Sequence, residues 1–95
     1  MVRITKFPPE LLQDTSLKWI DLSYNHIKAI PSAISTLTEL RMLNVYDNNI
    51  ETIPSELGKL RKLQELNVGD NILKSFPLVI TELTELLDLS ISRNS

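Results

Sequence analysis

The feature that most constrains this chain is a period. Leu17, Leu40, Leu63 and Leu86 stand 23 positions apart. The same shift superposes Ile20, Leu43, Leu66 and Leu89, then Leu22, Val45, Val68 and Ile91, then Asn25, Asn48, Asn71 and Asn94. Beyond the asparagines the register holds through Ile27, Ile50 and Leu73, the pairs Ile30-Pro31, Ile53-Pro54 and Phe76-Pro77, then Ile34, Leu57 and Ile80, and Leu37, Leu60 and Leu83. Many independent positions agree across three full units, so nearly every apolar residue has a repeat address. A unit this short cannot bury its apolar side alone, and the core forms only where one unit stacks on the next.

Each unit reads L-x-x-L-x-L-x-x-N-x-L, the leucine-rich repeat. In the extended stretch, residues two apart share a face, so Ile20 and Leu22 point to the core while Trp19, Asp21 and Ser23 point out. One short strand per unit follows, about five residues long, and successive strands run parallel because each returns by a crossover. Asn25, Asn48, Asn71 and Asn94 sit where the chain leaves the strand. There an amide can donate to and accept from backbone groups that have lost their ladder partners. The prolines at 31, 54 and 77 block continuation of the extended segment. The apolar spacing of three after them predicts one or two helical turns, with Ser32 or Ser55 as cap. The expected fold is α/β: a leucine-rich repeat solenoid, a short horseshoe segment with a concave parallel sheet and short helical or 3-10 turns on the convex side.

The 95 residues make one domain, 1–95, built from full repeats at 17–39, 40–62 and 63–85, a partial unit at 1–16 and a truncated unit at 86–95. In the partial unit Ile4, Phe7-Pro8 and Leu11 are in place, but Asp14 stands where a buried leucine belongs. Val2, Ile4, Phe7 and Leu11 are expected to fold over the first full unit as a cap, since solenoid ends need covering. The net charge of −2, with cations scattered rather than striped with aromatics, argues against a nucleic-acid partner. No apolar run approaches the roughly 20 residues of a membrane span, and the absence of cysteine favours the cytoplasm.

The 23-residue period with Ile/Phe-Pro-x-x-Ile/Leu-x-x-Leu resembles the intracellular Ras-group leucine-rich repeat proteins, the set that includes Scribble, Erbin and the Ras suppressor protein, over about residues 4–94. Plant receptor-type repeats look similar at Pro54-Ser-Glu-Leu-Gly58, but they carry a glycine shortly before the Ile-Pro pair, in the segment where this chain has Lys28, Thr52 and Ser75. The resemblance implies a protein-binding adaptor or scaffold, acting in signalling on partners such as small GTPases or phosphatase complexes.

Packing commits the core side, so the residues left for function are the outward strand positions and the turn after them. These are Trp19, Met42, Glu65 and Asp88; Asp21, Asn44 and Asn67; Ser23 and Tyr46; and Tyr24, Asp47 and Asp70. Trp19, Tyr24, Met42 and Tyr46 gather aromatic and thioether surface in the first two units, the residue types that anchor interfaces. Glu65, Asp70 and Asp88 give the other half an acidic rim suited to steering a basic partner. Four five-residue strands present roughly 300 Å², against about 800 Å² per partner in a standard interface, so the affinity expected is micromolar or weaker.

Catalytic readings are weaker. Asp21, Ser23 and His26 invite comparison with a hydrolytic triad, but no oxyanion-hole motif accompanies them. Glu65 and Asp88 pair two carboxylates in one column, which a repeat produces readily. One histidine and no cysteine argue against zinc, and Gly58 and Gly69, the only glycines, form no phosphate loop. No catalytic residue, metal or cofactor is expected. A second reading rests on Leu86–Ile91, an edge strand with open backbone groups through which two chains can associate or the stack can continue.

Overall fold

The computed structural model describes residues 2–94. Four short strands, β1 (Trp19–Asp21), β2 (Met42–Asn44), β3 (Glu65–Asn67) and β4 (Asp88–Ser90), form one parallel sheet in chain order. The register is the repeat itself: Trp19 lies beside Met42, Met42 beside Glu65 and Glu65 beside Asp88, each offset by 23 residues. Behind the sheet lie four 3-10 turns, Pro9–Gln13, Ser32–Thr36, Ser55–Lys59 and Leu78–Glu82. This is the expected solenoid, with the sheet on one side and short turns on the other.

Spacing explains why the turns are 3-10 rather than α-helical. Pro31, Ile34, Leu37 and Leu40 recur every third residue, and side chains three apart eclipse in a 3-10 turn but drift round an α-helix. The backbone follows suit, with Ile34 N–H donating to Pro31 C=O at 3.0 Å and Leu37 N–H to Ile34 C=O at 3.0 Å. Ile34, Leu37 and Leu40 are all fully buried as a result. The expected serine caps are corrected here. Pro31 and Pro54 occupy the position before each turn, no side chain caps it, and Ser32 and Ser55 lie inside the turn.

The strands are also shorter than the five residues expected. Asp21 Oδ1 accepts the backbone N–H of Ser23 at 3.0 Å and its hydroxyl at 2.7 Å. Asn44 Oδ1 takes the N–H of Tyr46 and Asn67 Oδ1 that of Gly69, each at 3.0 Å. The next residue then turns the chain with positive φ, 60° at Tyr24, 57° at Asp47, 53° at Asp70 and 62° at Arg93. A strand that meets a side-chain turn and a left-handed residue within four positions stops after three.

The asparagine column is continuous, as the pattern predicts. Asn48 Nδ2 donates to Val45 and Tyr46 C=O in its own turn and to Leu22 C=O in the unit before, at 3.0, 3.3 and 3.0 Å. Its Oδ1 accepts the Ile27 N–H at 2.9 Å. Asn71 and Asn94 repeat this arrangement one and two units on. Asn25 anchors the front, where its Oδ1 accepts the Ile4 N–H at 2.9 Å.

Burial grades along the stack. Leu40, Leu43, Val45, Leu63 and Val68 in the middle are wholly buried, whereas their equivalents Leu17, Leu22, Leu86 and Ile91 at the ends are half-buried. The front cap forms with Phe7 buried and Ile4 and Leu11 packed against the core. Val2 does not join it: at 87% exposure it extends into solvent because Asn25 fixes the backbone only from Ile4 onward. Asp14 is exposed rather than buried and folds onto Ser16, accepting its N–H at 3.1 Å and its hydroxyl at 2.6 Å. The Ser16 hydroxyl and N–H hold the Asp14 carboxyl below the usual carboxylate range.

Candidate functional site

The sheet brings the outward residues into columns. Trp19, Met42, Glu65 and Asp88 form one and Asp21, Asn44, Asn67 and Ser90 the next. β2 and β3 are hydrogen-bonded to a strand on both sides, β1 and β4 on one. Trp19 is 65% exposed and Tyr24 is 55% exposed, while Met42 and Tyr46 are half-buried. The Tyr24 and Tyr46 rings meet edge to face with centroids 5.4 Å apart and planes at 76°. Their backbones are tied too, Tyr24 N–H donating to Tyr46 C=O at 2.8 Å.

The second column has a duty beyond exposure, because Asp21, Asn44 and Asn67 each spend one oxygen on ending their strand. The Asn44 and Asn67 amide nitrogens make no hydrogen bond among the described residues, so each keeps donors for a partner. The Ser23 hydroxyl donates a hydrogen bond to Asp21, while His26 Nδ1 lies 3.5 Å from Asn49 Nδ2. A serine that donates to the carboxylate, with the imidazole engaged elsewhere, is not the relay of a hydrolase. Among the described residues no three His, Cys, Asp or Glu side chains converge.

One participant is absent from the sequence reading. Arg3 reaches across the start of the stack, Nε donating to Tyr24 C=O at 2.9 Å and Nη2 to Asn25 C=O at 3.0 Å and Asp47 C=O at 3.3 Å. Its guanidinium also lies 3.7 Å from the Asp47 carboxylate. The arginine therefore braces the turn that carries Tyr24 and offsets the charge of Asp47. The rim of uncompensated acid is left to Glu65, Asp70 and Asp88. The signal available was position, since Arg3 stands one period before His26. An apolar groove of about 510 Å³ lies away from these columns, between residues 5–12 and 28–31, lined by Phe7, Pro9, Leu12, Ala29 and Pro31.

A strand, an asparagine turn and a convex 3-10 turn repeated in one register are joined by a match to the leucine-rich repeat region over residues 9–95. The chain belongs to the leucine-rich repeat family. Among solved structures, a Leptospira interrogans LRR protein is 33% identical, with a TM-score of 0.94, over 98% of this chain and 24% of its own. A plant peptide hormone receptor, RGFR1, in complex with RGF2, is 31% identical with a TM-score of 0.85, over 96% of this chain and 15% of the receptor. The BIR3–SERK2 complex from Arabidopsis thaliana gives 33% identity and a TM-score of 0.85, over 95% of this chain and 50% of the matched one. The leucine-rich repeat chain thus spans between 15% and 50% of the length of these three. Among curated protein sequences none matches it significantly. No helix among the described residues is long and apolar enough to cross a membrane.

Proposed function

We propose that the concave face is a protein-binding surface with two parts, an aromatic anchor in the first two repeats and an acidic rim in the last two. The observation that carries this reading is the exposure of Trp19, next to Met42 in its column, and of Tyr24, whose ring packs edge to face on Tyr46. Large rings cost little side-chain entropy when a partner covers them, and they contribute most of the energy in small interfaces. Leucine-rich repeat domains commonly bind proteins, and two of the structural neighbours were solved in complexes. A basic partner is steered by Glu65, Asp70 and Asp88, while Asn44 and Asn67 supply donors to its backbone.

The three-residue strands shrink the sheet to roughly 200 Å², so the turns bearing Tyr24, Asp47 and Asp70 must share the contact. An affinity in the micromolar range follows. The finer reading is an adaptor of the Ras-group kind, working in the cytoplasm on small GTPases or phosphatase complexes, and it rests on the 23-residue Ile-Pro pattern. Panning a peptide library against the wild-type chain, then titrating the selected peptides, tests the surface. Trp19→Ala and Tyr46→Ala should each weaken binding by about tenfold or more while the melting curve stays within a few degrees. Equal binding by both folded variants refutes the reading.

A further inference from the structure

The apolar groove on the flank is a seam between two stacked units. Its walls are residues 5–12 and 28–31, and its volume is about 510 Å³, within the range of roughly 300–1,000 Å³ that ligand sites occupy. Leu12 stands two periods before Gly58. A Cβ at Gly58 meets Val79 and Glu82 of the following unit, so side chains at this address point forward along the stack. Leu12 accordingly faces the unit that carries the Ser32–Thr36 turn. The groove lies between two units that the chain itself supplies and does not depend on what precedes them.

Three properties set this seam apart. Pro9, Leu12 and Ala29 make it apolar, whereas Ser32, Ser35 and Thr52 hold the same addresses one unit on. Lys6 and Lys28 are its only charged lining residues, and neither makes an ion pair among the described residues. The one carboxylate in the column of Lys28, Glu51, is taken by Lys74 at 3.4 Å. Glu10 lines an adjoining hollow with Lys6 and not the groove. The third property is open backbone. Lys28 and Ala29 are exposed, and their N–H and C=O groups make no hydrogen bond among the described residues. Pro31, at φ −72° and ψ 154°, keeps the end of this wall extended and favours the same conformation in Ile30 before it.

We infer that this groove holds an extended acidic peptide segment of a protein partner. One large apolar side chain of the peptide fills the groove against Leu12 and Ala29, and carboxylates on the flanking residues reach Lys6 and Lys28. The peptide backbone exchanges hydrogen bonds with the Lys28–Ala29 wall, the mode in which main-chain bonds give affinity and side-chain pockets give specificity. A small carboxylate with an alkyl tail matches the lysines and the apolar floor but leaves those backbone groups unused. Charge separates this surface from the concave face, where Glu65, Asp70 and Asp88 repel the same peptide. A basic partner on the sheet and an acidic one on the flank therefore do not compete.

Chemical-shift titration of the full chain tests this, with the synthetic peptide acetyl-Glu-Asp-Phe-Glu-Asp-amide as probe. The amides of Lys6, Phe7, Lys28 and Ala29 should shift together while those of Trp19 and Met42 stay in place. Replacing the peptide's phenylalanine by alanine, or its acids by lysines, should weaken binding by about tenfold or more. Lys28→Glu in the protein should do the same. Ala29→Tyr puts a ring over the groove at an exposed address that elsewhere holds Lys6, Thr52 and Ser75, so it should abolish binding in a chain that still folds. Trp19→Ala should leave this binding unchanged, which keeps the outcome separate from that of the concave face. A probe that shifts no groove amide at its highest soluble concentration overturns the inference, as does a folded Ala29→Tyr chain that binds as tightly as wild type. So does decanoate that shifts these amides where the peptide does not, since that marks a site for a small amphiphile.

Discussion

Tyr24 meets Tyr46 edge to face at 5.4 Å from a backbone held at a φ of 60°. A tyrosine in the left-handed region costs about 1–2 kcal/mol relative to an ordinary conformation, and an aromatic pair returns about 0.5–1.5 kcal/mol beyond its buried area. The two effects nearly cancel in the folded chain, so stability alone gives little reason for a tyrosine here.

Tyr24→Gly should therefore leave the unfolding free energy within about 1 kcal/mol of wild type, because glycine relieves the backbone as the ring contact is lost. Tyr24→Ala keeps the backbone cost and loses the ring, and should be less stable than the glycine variant by about 1 kcal/mol. Urea unfolding of the three proteins checks the order. If both variants bind selected peptides less well than wild type, the ring serves binding rather than folding.

The asparagine column predicts a gradient along the stack. Asn48 is buried, its two amide hydrogens shared among three carbonyls and its oxygen accepting one N–H, so Asn48→Ala strands several backbone groups away from water. At about 1–3 kcal/mol for each buried group left unpaired, the loss should reach at least about 3 kcal/mol. Asn25 is half-buried and donates only within its own turn, so Asn25→Ala should cost distinctly less. Denaturant midpoints measured at equal m-values settle the comparison, and equal losses at the two positions would contradict it.

Acid should act on a bridge between units. Lys62 Nζ sits 3.0 Å from Glu39 Oε1 and donates to both carboxylate oxygens, and this bond holds the Glu39 carboxyl below its ordinary value. A carboxyl whose folded value is depressed contributes stability above the ordinary glutamate range. That contribution is lost as the pH falls through the depressed value, where the folded state too takes up the proton. Glu39→Gln should accordingly be less stable than wild type at neutral pH, with the gap closing at an acid pH below the depressed value. The pair is exposed, so the gap should also narrow in high salt. Thermal melts at both pH values in low and high salt give the answer.

The period made the strand register, the columns and the asparagine ladder legible, because each follows from placing one unit on the next. Choices made within a unit were harder to see. Strand length depends on Asp21, Asn44 and Asn67 turning their side chains onto the backbone two residues ahead, a local contest that alternation does not register. The left-handed turn is occupied by Tyr24, Asp47, Asp70 and Arg93, four residues with no shared preference strong enough to announce it. There the asparagine that follows, fixed by its neighbours, imposes the conformation. The outward candidates Trp19, Met42, Glu65 and Asp88 were readable as a column, but their division of labour with the turns was not.

Arg3 is where that hidden layer makes its sharpest prediction. Three carbonyls from the turns of the first two units converge on one guanidinium, whose planar fork can serve all three at once. Arg3→Ala should lower stability by about 1–2 kcal/mol, the moderate figure suited to a charge that remains about a third exposed. The loss should be local. His26 N–H donates to Ile4 C=O at 2.8 Å and Ile4 N–H to Asn25, so both amides should exchange faster while those of Leu43 and Leu66 hold. Arg3→Lys should not restore the protection, because an ammonium cannot match the fork's reach to three carbonyls. Hydrogen exchange read residue by residue by NMR distinguishes this clamp from a merely favourable surface charge, for which lysine would serve as well.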